Sequence, residues 1–461
     1  MLYEKYLKTI DERADVFCNI SDSLWDNPEI PFHEYEAAKL ITKVLEDEGF
    51  TVTRGVAGMP TAFTATYGNG SPKMGILAEY DALSGMSQVA CITEKKPIPG
   101  LDAGHGCGHN LFAGGSVAAA FAVKAYIEAT GKGSVTLFGC PAEEGGGGKV
   151  FMARDGVFNG TESVVSWHPE SMNMVRTRPA LANVKVDYTF EGIAAHAGAV
   201  PHKGRSALDA VELMNVGCNF LREHMELTSR IHYAILDAGG TAPNQVQSHA
   251  VVRYMIRATD VPSVLALQKR VDKVAQGAAL MTETTVTSRV TSAYSSLVTI
   301  PTLQATANEA LHDIPVPVAT EEELAFAKAM QATYTVSKEQ SALPPYADTV
   351  NEPAPPVAHG GSTDTADVSW VCPTVQMHIG TNVVGTPGHS WQSVSQNRSS
   401  FAKKSMLYAG KAVAATIMRL IDNPALIEKA KAEHFEKTGG EYICNIPADL
   451  KPDTPENQAK M

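Results

Sequence analysis

The chain has 461 residues, 44% of them hydrophobic and 19% charged. That is too long for one ordinary hydrophobic core, so two domains are expected, and too apolar for a disordered or fibrous protein. A net charge of −12 disfavours nucleic acid or an anionic membrane as the main partner, but a few arginines lining a cleft still allow an anionic small molecule.

The opening residues mix both charges and hold no apolar run of signal-peptide length, which points to a cytoplasmic protein. An amphipathic helix begins the chain. After Asn27-Pro28-Glu29 a second helix is expected over 35–48, closed by Gly49. Strands over 51–54, 62–67 and 74–79 lead into a glycine-rich loop and then the most apolar stretch, 111–123. It is shorter than a membrane span and rich in Gly and Ala, so it reads as a helix buried against a sheet. Strands over 134–139 and 162–167 follow, and this alternation indicates an α/β core with a mostly parallel sheet. Next come strand 184–190, helix 206–225, strands 231–236 and 250–257, helix 261–281 and strand 284–292. That is the order of a ferredoxin-like α+β sandwich. The expected organisation is a discontinuous first domain of 1–181 and 300–461, interrupted by an inserted domain of 182–299. Residues 341–356, rich in Pro and Ala, read as a loop, and the tail after Asn423 starts helical and ends polar.

The seven cysteines are scattered and form no CxxC pair, which fits a reduced compartment and makes any special cysteine a ligand or nucleophile. Four clusters carry chemistry. In Gly104-His105-Gly106-Cys107-Gly108-His109-Asn110, ligand-capable side chains alternate with glycines that let the backbone bend around an ion; a glycine-rich start to a helix is the plainer alternative. Glu143 and Glu144 follow a strand and precede four glycines. Adjacent carboxylates repel unless a cation neutralises them, so one metal ligand beside one general base is a natural reading; an exposed acidic turn is the other. A phosphate loop fits poorly, because Val150 follows Lys149 where Ser or Thr is needed and the two acids would repel phosphate. His168 in Trp167-His168-Pro169 and His389 in Gly388-His389-Ser390 gain weight only from the company of the first two. His33-Glu34 lacks the second histidine of a zinc-protease helix, and no serine-hydrolase elbow is present.

In this order the clusters resemble the family of two-metal peptidases and amidohydrolases that includes carboxypeptidase G, the aminoacylases and the auxin-conjugate hydrolases, in its Cys-Gly-His branch. Asn27-Pro28-Glu29, Glu34, the run Leu77 to Leu83 and Gly192 to His196 fit as well. The resemblance implies two divalent ions, zinc or manganese, held by Cys107, His109, Glu144, His168 and His389, with Cys107 bridging. It implies that Glu143 is the general base and acid and that Asp81 orients a ligand. His196 would reach from the inserted dimerisation domain toward the oxyanion, and Asn244 and Arg257 would hold a substrate carboxylate. Two positions depart from relatives: Asn110 stands where many auxin-type members have Asp, and Glu79 stands near a position where other branches place a metal-binding His. The implied reaction is hydrolysis of the amide of an N-acyl or N-aroyl amino acid, such as p-aminobenzoyl-glutamate, by a homodimer or by a heterodimer with a related subunit. A dipeptidase acting on small or basic dipeptides and a non-catalytic partner subunit are the alternatives.

Overall fold

The computed structural model describes residues 3–459 except 354–360, so the last part of the expected 341–356 loop lies outside the described residues. The opening helix is two helices, Glu4–Glu12 and Ala14–Asp26, broken at Arg13. After the helix Tyr35–Asp47 come β1 (Thr51–Arg54), β2 (Phe63–Tyr67), β3 (Lys73–Glu79), β4 (Ser134–Cys140), β5 (Ser163–Glu170) and the short β6 (Met174–Val175). The inserted segment supplies β7 (Ala182–Glu191), β8 (Ala195–His196), β9 (Arg230–Asp237), β10 (Gln245–Val246), β11 (His249–Ala258) and β12 (Thr285–Tyr294). The chain then returns to the first sheet with β13 (Thr374–Gly380).

That first sheet runs β1-β2-β4-β3-β5-β13-β6. Its centre, β4-β3-β5-β13, is parallel, and antiparallel strands close both edges. Central strands covered on both faces need near-continuous apolar sequence, and Ile76, Leu77, Val164, Val165, Met377 and Ile379 are fully buried. The second sheet is antiparallel in the order β12-β7-β11-β9 and carries the helices Ala207–Leu221 and Val261–Thr282, as a ferredoxin-like sandwich requires.

The helix His109–Thr130 is long and apolar enough to cross a membrane, but it is buried inside the fold. It packs against the helix Ser400–Asp422, and small residues permit the close approach: a Cβ on Gly114 would stand 2.6 Å from Met406, and one on Gly410 would stand 2.9 Å from the Gly115 carbonyl. This packing aims the start of the helix, His109, at the carboxyl ends of β3, β4 and β5. In open α/β sheets ligands gather there.

Candidate metal centre

β3 ends at Glu79, and Asp81 two residues later holds the site together. Its Oδ1 accepts a hydrogen bond from His109 Nδ1 at 2.9 Å, and its Oδ2 accepts from the Glu144 backbone N–H at 2.8 Å. One carboxylate thus joins the start of the long helix to the turn after β4. His109 Nδ1 faces only oxygen acceptors and donates to them, which leaves Nε2 as the ring atom facing the cluster. Burial opposes the charged ring, but Cys107 and Asp81 hold the imidazole well above its usual range, so an ion bound here would take the place of the Nε2 proton. His168 is set the same way, with Nδ1 2.8 Å from the Pro169 carbonyl and Nε2 3.5 Å from Cys107 Sγ. It lies within β5, which runs three residues beyond the expected end at 167.

The third pair is Glu144 Oε1 and His389 Nε2, 3.3 Å apart. Ligands on one tetrahedral zinc stand about 3.3–3.6 Å from each other, given bond lengths of about 2.0–2.3 Å. Both separations match that spacing. The ligand atoms of Cys107, His109 and His168 lie within 4.8 Å of one another, and so do those of Cys107, Glu144 and His389. Cys107 belongs to both groups. His109 Nε2 is buried without a hydrogen-bond partner, a costly arrangement that a cation would relieve.

The electrostatics ask for the same thing. Burial pushes the Cys107 thiol well up, with His109 opposing. Burial also raises Glu143, strongly, and repulsion from Glu79 and Asp364 adds to it while Lys149 counteracts. Glu144 differs: burial would raise it, yet the hydrogen bond to His389 and the attraction of His109 hold it at about 2. Burial lowers His168 and so keeps its ring neutral, as a metal ligand must be.

Two local devices hold these side chains. Ala142 sits at φ 57° in the left-handed region, and this turns the chain so that Glu143 and Glu144 follow the strand closely. Glu34, fully buried, accepts from the Ala142 N–H at 2.8 Å and from Thr61 Oγ1 at 3.0 Å, and burial with the nearby Asp81 pushes its carboxyl up to about 8. His389 itself has φ 51°. Such strain in a non-glycine residue is tolerated where the surroundings enforce it, often at functional sites.

Seven of the residues singled out from sequence are therefore neighbours: Asp81, Cys107, His109, Glu143, Glu144, His168 and His389. Three sit on the inserted segment. His196 and Asn244 are exposed and adjacent at the β8–β10 pair, where Ala197 N–H donates to the Asn244 carbonyl at 2.9 Å. His196 Nδ1 accepts from the Gly198 and Ala199 N–H groups, so its free Nε2 is a donor. Arg257, half-buried on β11, donates to Ser362 Oγ at 2.6 Å. His105 is structural, with Nε2 3.1 Å from the Leu24 carbonyl. Sequence reading missed a buried ion-pair system beside the cluster: Lys149 Nζ lies 2.7 Å from both Glu79 Oε1 and Asp364 Oδ1. Its one signal was a lysine in an otherwise apolar helical turn, Lys149-Val150-Phe151-Met152.

Residues 78–419 match the family model described as peptidase family M20/M25/M40. The chain is 45% identical to one of the subunits of the p-aminobenzoyl-glutamate hydrolase of Escherichia coli, over 95% of each chain. It is 30% identical to mouse Xaa-Arg dipeptidase over 97% of this chain and 95% of that one. Among solved structures, a dinuclear metal-binding peptidase of Bacillus subtilis superposes with TM-score 0.58 at 18% identity, covering 87% of this chain and 98% of that one. An aminobenzoyl-glutamate utilization protein of Klebsiella pneumoniae also superposes with TM-score 0.58, covering 88% and 98%. The chain belongs to peptidase family M20/M25/M40 and is a metal-dependent amidohydrolase, and its described residues offer candidate ligand groups for two divalent ions.

Proposed function

We propose that the protein hydrolyses the amide bond of N-acyl or N-aroyl amino acids, with p-aminobenzoyl-glutamate the leading candidate. The observation that carries this reading is the pair of ligand groups sharing Cys107, with the carboxyl of Glu143 beside them, within 4.8 Å of His109 and Glu79. One ion would be held by Cys107, His109 and His168, and the other by Cys107, Glu144 and His389. A thiolate favours zinc, while imidazole and carboxylate also accept manganese. Bound there, the ions would polarise the scissile carbonyl and lower the pKa of a water toward neutrality.

Burial and neighbouring carboxylates raise Glu143, and bound cations would offset that, so its carboxylate would take the proton of the attacking water and return it to the leaving amine. Asp81 keeps His109 in its ligating tautomer. The free Nε2–H of His196 supplies a hydrogen bond to the oxyanion, and Arg257 with Asn244 receives the substrate's α-carboxylate. We take 1–181 with 300–461 as the catalytic domain and 182–299 as the dimerisation domain.

The inserted sheet supports a partner. β9 is its edge strand and exposes Tyr233, Ile235 and Leu236, and the helix Ala207–Leu221 exposes Leu213, Val216 and Phe220. An apolar edge of this kind is normally covered, here by a second copy or by a related subunit. The similarity to a dipeptidase favours a second reading, cleavage of dipeptides with a basic residue. The purified chain, loaded with zinc or manganese, should release glutamate from p-aminobenzoyl-glutamate faster than it cleaves Xaa-Arg dipeptides. The reverse order favours the second reading, and no turnover of either by the chain alone favours a partner subunit.

A further inference from the structure

We propose that Glu79 is an additional protein ligand of the ion at His109 and His168, held in place by the buried Lys149. The proposal rests on the two-metal reading above and goes beyond its five ligands.

Glu79 is 1% exposed, and its two oxygens have separate fates. Oε1 lies 2.7 Å from Lys149 Nζ. Oε2 faces His109 Nε2 at 3.2 Å, yet neither atom has a hydrogen-bond partner. His109 Nδ1 is committed to Asp81, so Nε2 is the ring atom that meets this oxygen, and the ligand atoms of Glu79, His109 and Glu143 all lie within 4.8 Å of one another. An ion that takes the place of the Nε2 proton would meet both atoms at once, with the imidazole and the carboxylate as its ligands. The separation is that of two ligands on one ion: about 2.9 Å at an octahedral right angle and about 3.4 Å at a tetrahedral one. It also resembles the Cys107–His168 and Glu144–His389 spacings of 3.5 and 3.3 Å.

Lys149 explains how the carboxylate is held. It is fully buried, and Asp364 anchors it twice: the Lys149 N–H donates to Oδ2 at 3.0 Å and Nζ donates to Oδ1 at 2.7 Å. The lysine grips one oxygen of Glu79 and leaves the other directed at His109. Ligating carboxylates are commonly braced in this way by an outer hydrogen-bond partner. An added hard oxygen ligand also shifts this ion's preference toward manganese relative to a site made of Cys107, His109 and His168 alone.

The test is cobalt titration of the metal-free full-length protein, followed by visible absorption and by metal counting with mass spectrometry. Glu79→Gln keeps the shape and an oxygen for Lys149 but removes the anionic ligand. Glu79→Asp keeps the charge for Lys149 but withdraws from the ion, and circular dichroism checks the fold of both. Wild type should take up two ions. In both variants one ion should be lost, or its cobalt d–d bands should change in intensity as its coordination changes. Two ions bound by a folded variant with the wild-type visible spectrum overturn the proposal. Fewer than two ions in the wild type overturn the two-metal reading itself and the proposal with it, and that failure shows before any variant is made.

Discussion

Glu143 and Glu144 are adjacent in sequence and opposite in circumstance. Glu144 is drawn down to about 2 through His389 and His109, despite its burial, and behaves as a permanent anion. Glu143 is driven upward by burial and by two neighbouring carboxylates, and so holds a proton far more readily than Glu144 does. Replacing Glu143 with Gln should cut turnover by about 10²–10⁴-fold while leaving the metal content unchanged, a combination that steady-state kinetics and metal analysis read together. Asp81→Asn tests a different role. An amide no longer forces the proton onto His109 Nδ1, so metal affinity should fall by about 10–100-fold. The ligand-bearing positions were legible because His, Cys and Glu recur at strand ends between glycines. The Glu79–Lys149–Asp364 system was not. Its members lie 70 and 215 positions apart in sequence, and local pattern carries no trace of such pairing.

The elements depend on close packing around the site. Gly115 brings the helix His109–Thr130 against Trp167, the residue before His168. A Cβ there would stand 2.6 Å from the indole, and overpacking of this kind outweighs the helix propensity gained. Gly115→Ala should therefore lower stability by about 1–2 kcal/mol, measured as the urea midpoint of the metal-free protein. The helix Thr365–Val371 is tied down through Asp367, which accepts from Ser295 and from Tyr442 OH, linking the inserted segment to the tail. Burial raises its carboxyl from 3.8 to about 6, against the pull of those hydrogen bonds. The native state therefore binds this proton more tightly than the unfolded chain. Its stabilising contribution is complete below about pH 4 and is lost as pH rises through about 6. The urea midpoint of Asp367→Asn relative to wild type should accordingly shift in the variant's favour between pH 4 and pH 7. A constant difference across that range would rule out the raised carboxyl. The first domain's strands up to 167 and the inserted sandwich were readable because their periodicity is local. β13 was not. Gln376 and His378 interrupt its apolar run, and it pairs in parallel with β5, about 200 residues earlier. Likewise the break at Arg13 splits a pattern that periodicity alone reads as one helix.

At the scale of the whole molecule, the cluster lies on the first sheet, whereas His196 and Asn244 lie exposed on the inserted segment. If the exposed β9 face pairs two copies, an exposed His196 becomes available to the neighbouring copy's cluster. Mixing Glu143→Ala with His196→Ala chains should then restore about a quarter of wild-type activity, because each mixed dimer regains one intact site. No recovery on mixing would place His196 in its own chain's site. If a second copy covers β9, Ile235→Asp should yield monomers in sedimentation velocity, since that pairing would bury the charge at an apolar interface. The central claim concerns the metal centre itself, and metal content per chain tests it most directly. After zinc loading and removal of free ion, wild type should retain two ions, and Cys107→Ala should lose one or both, because Cys107 is common to the two ligand groups. A wild-type chain with one ion or none, or a Cys107→Ala chain that keeps both with unchanged affinity, would contradict the account.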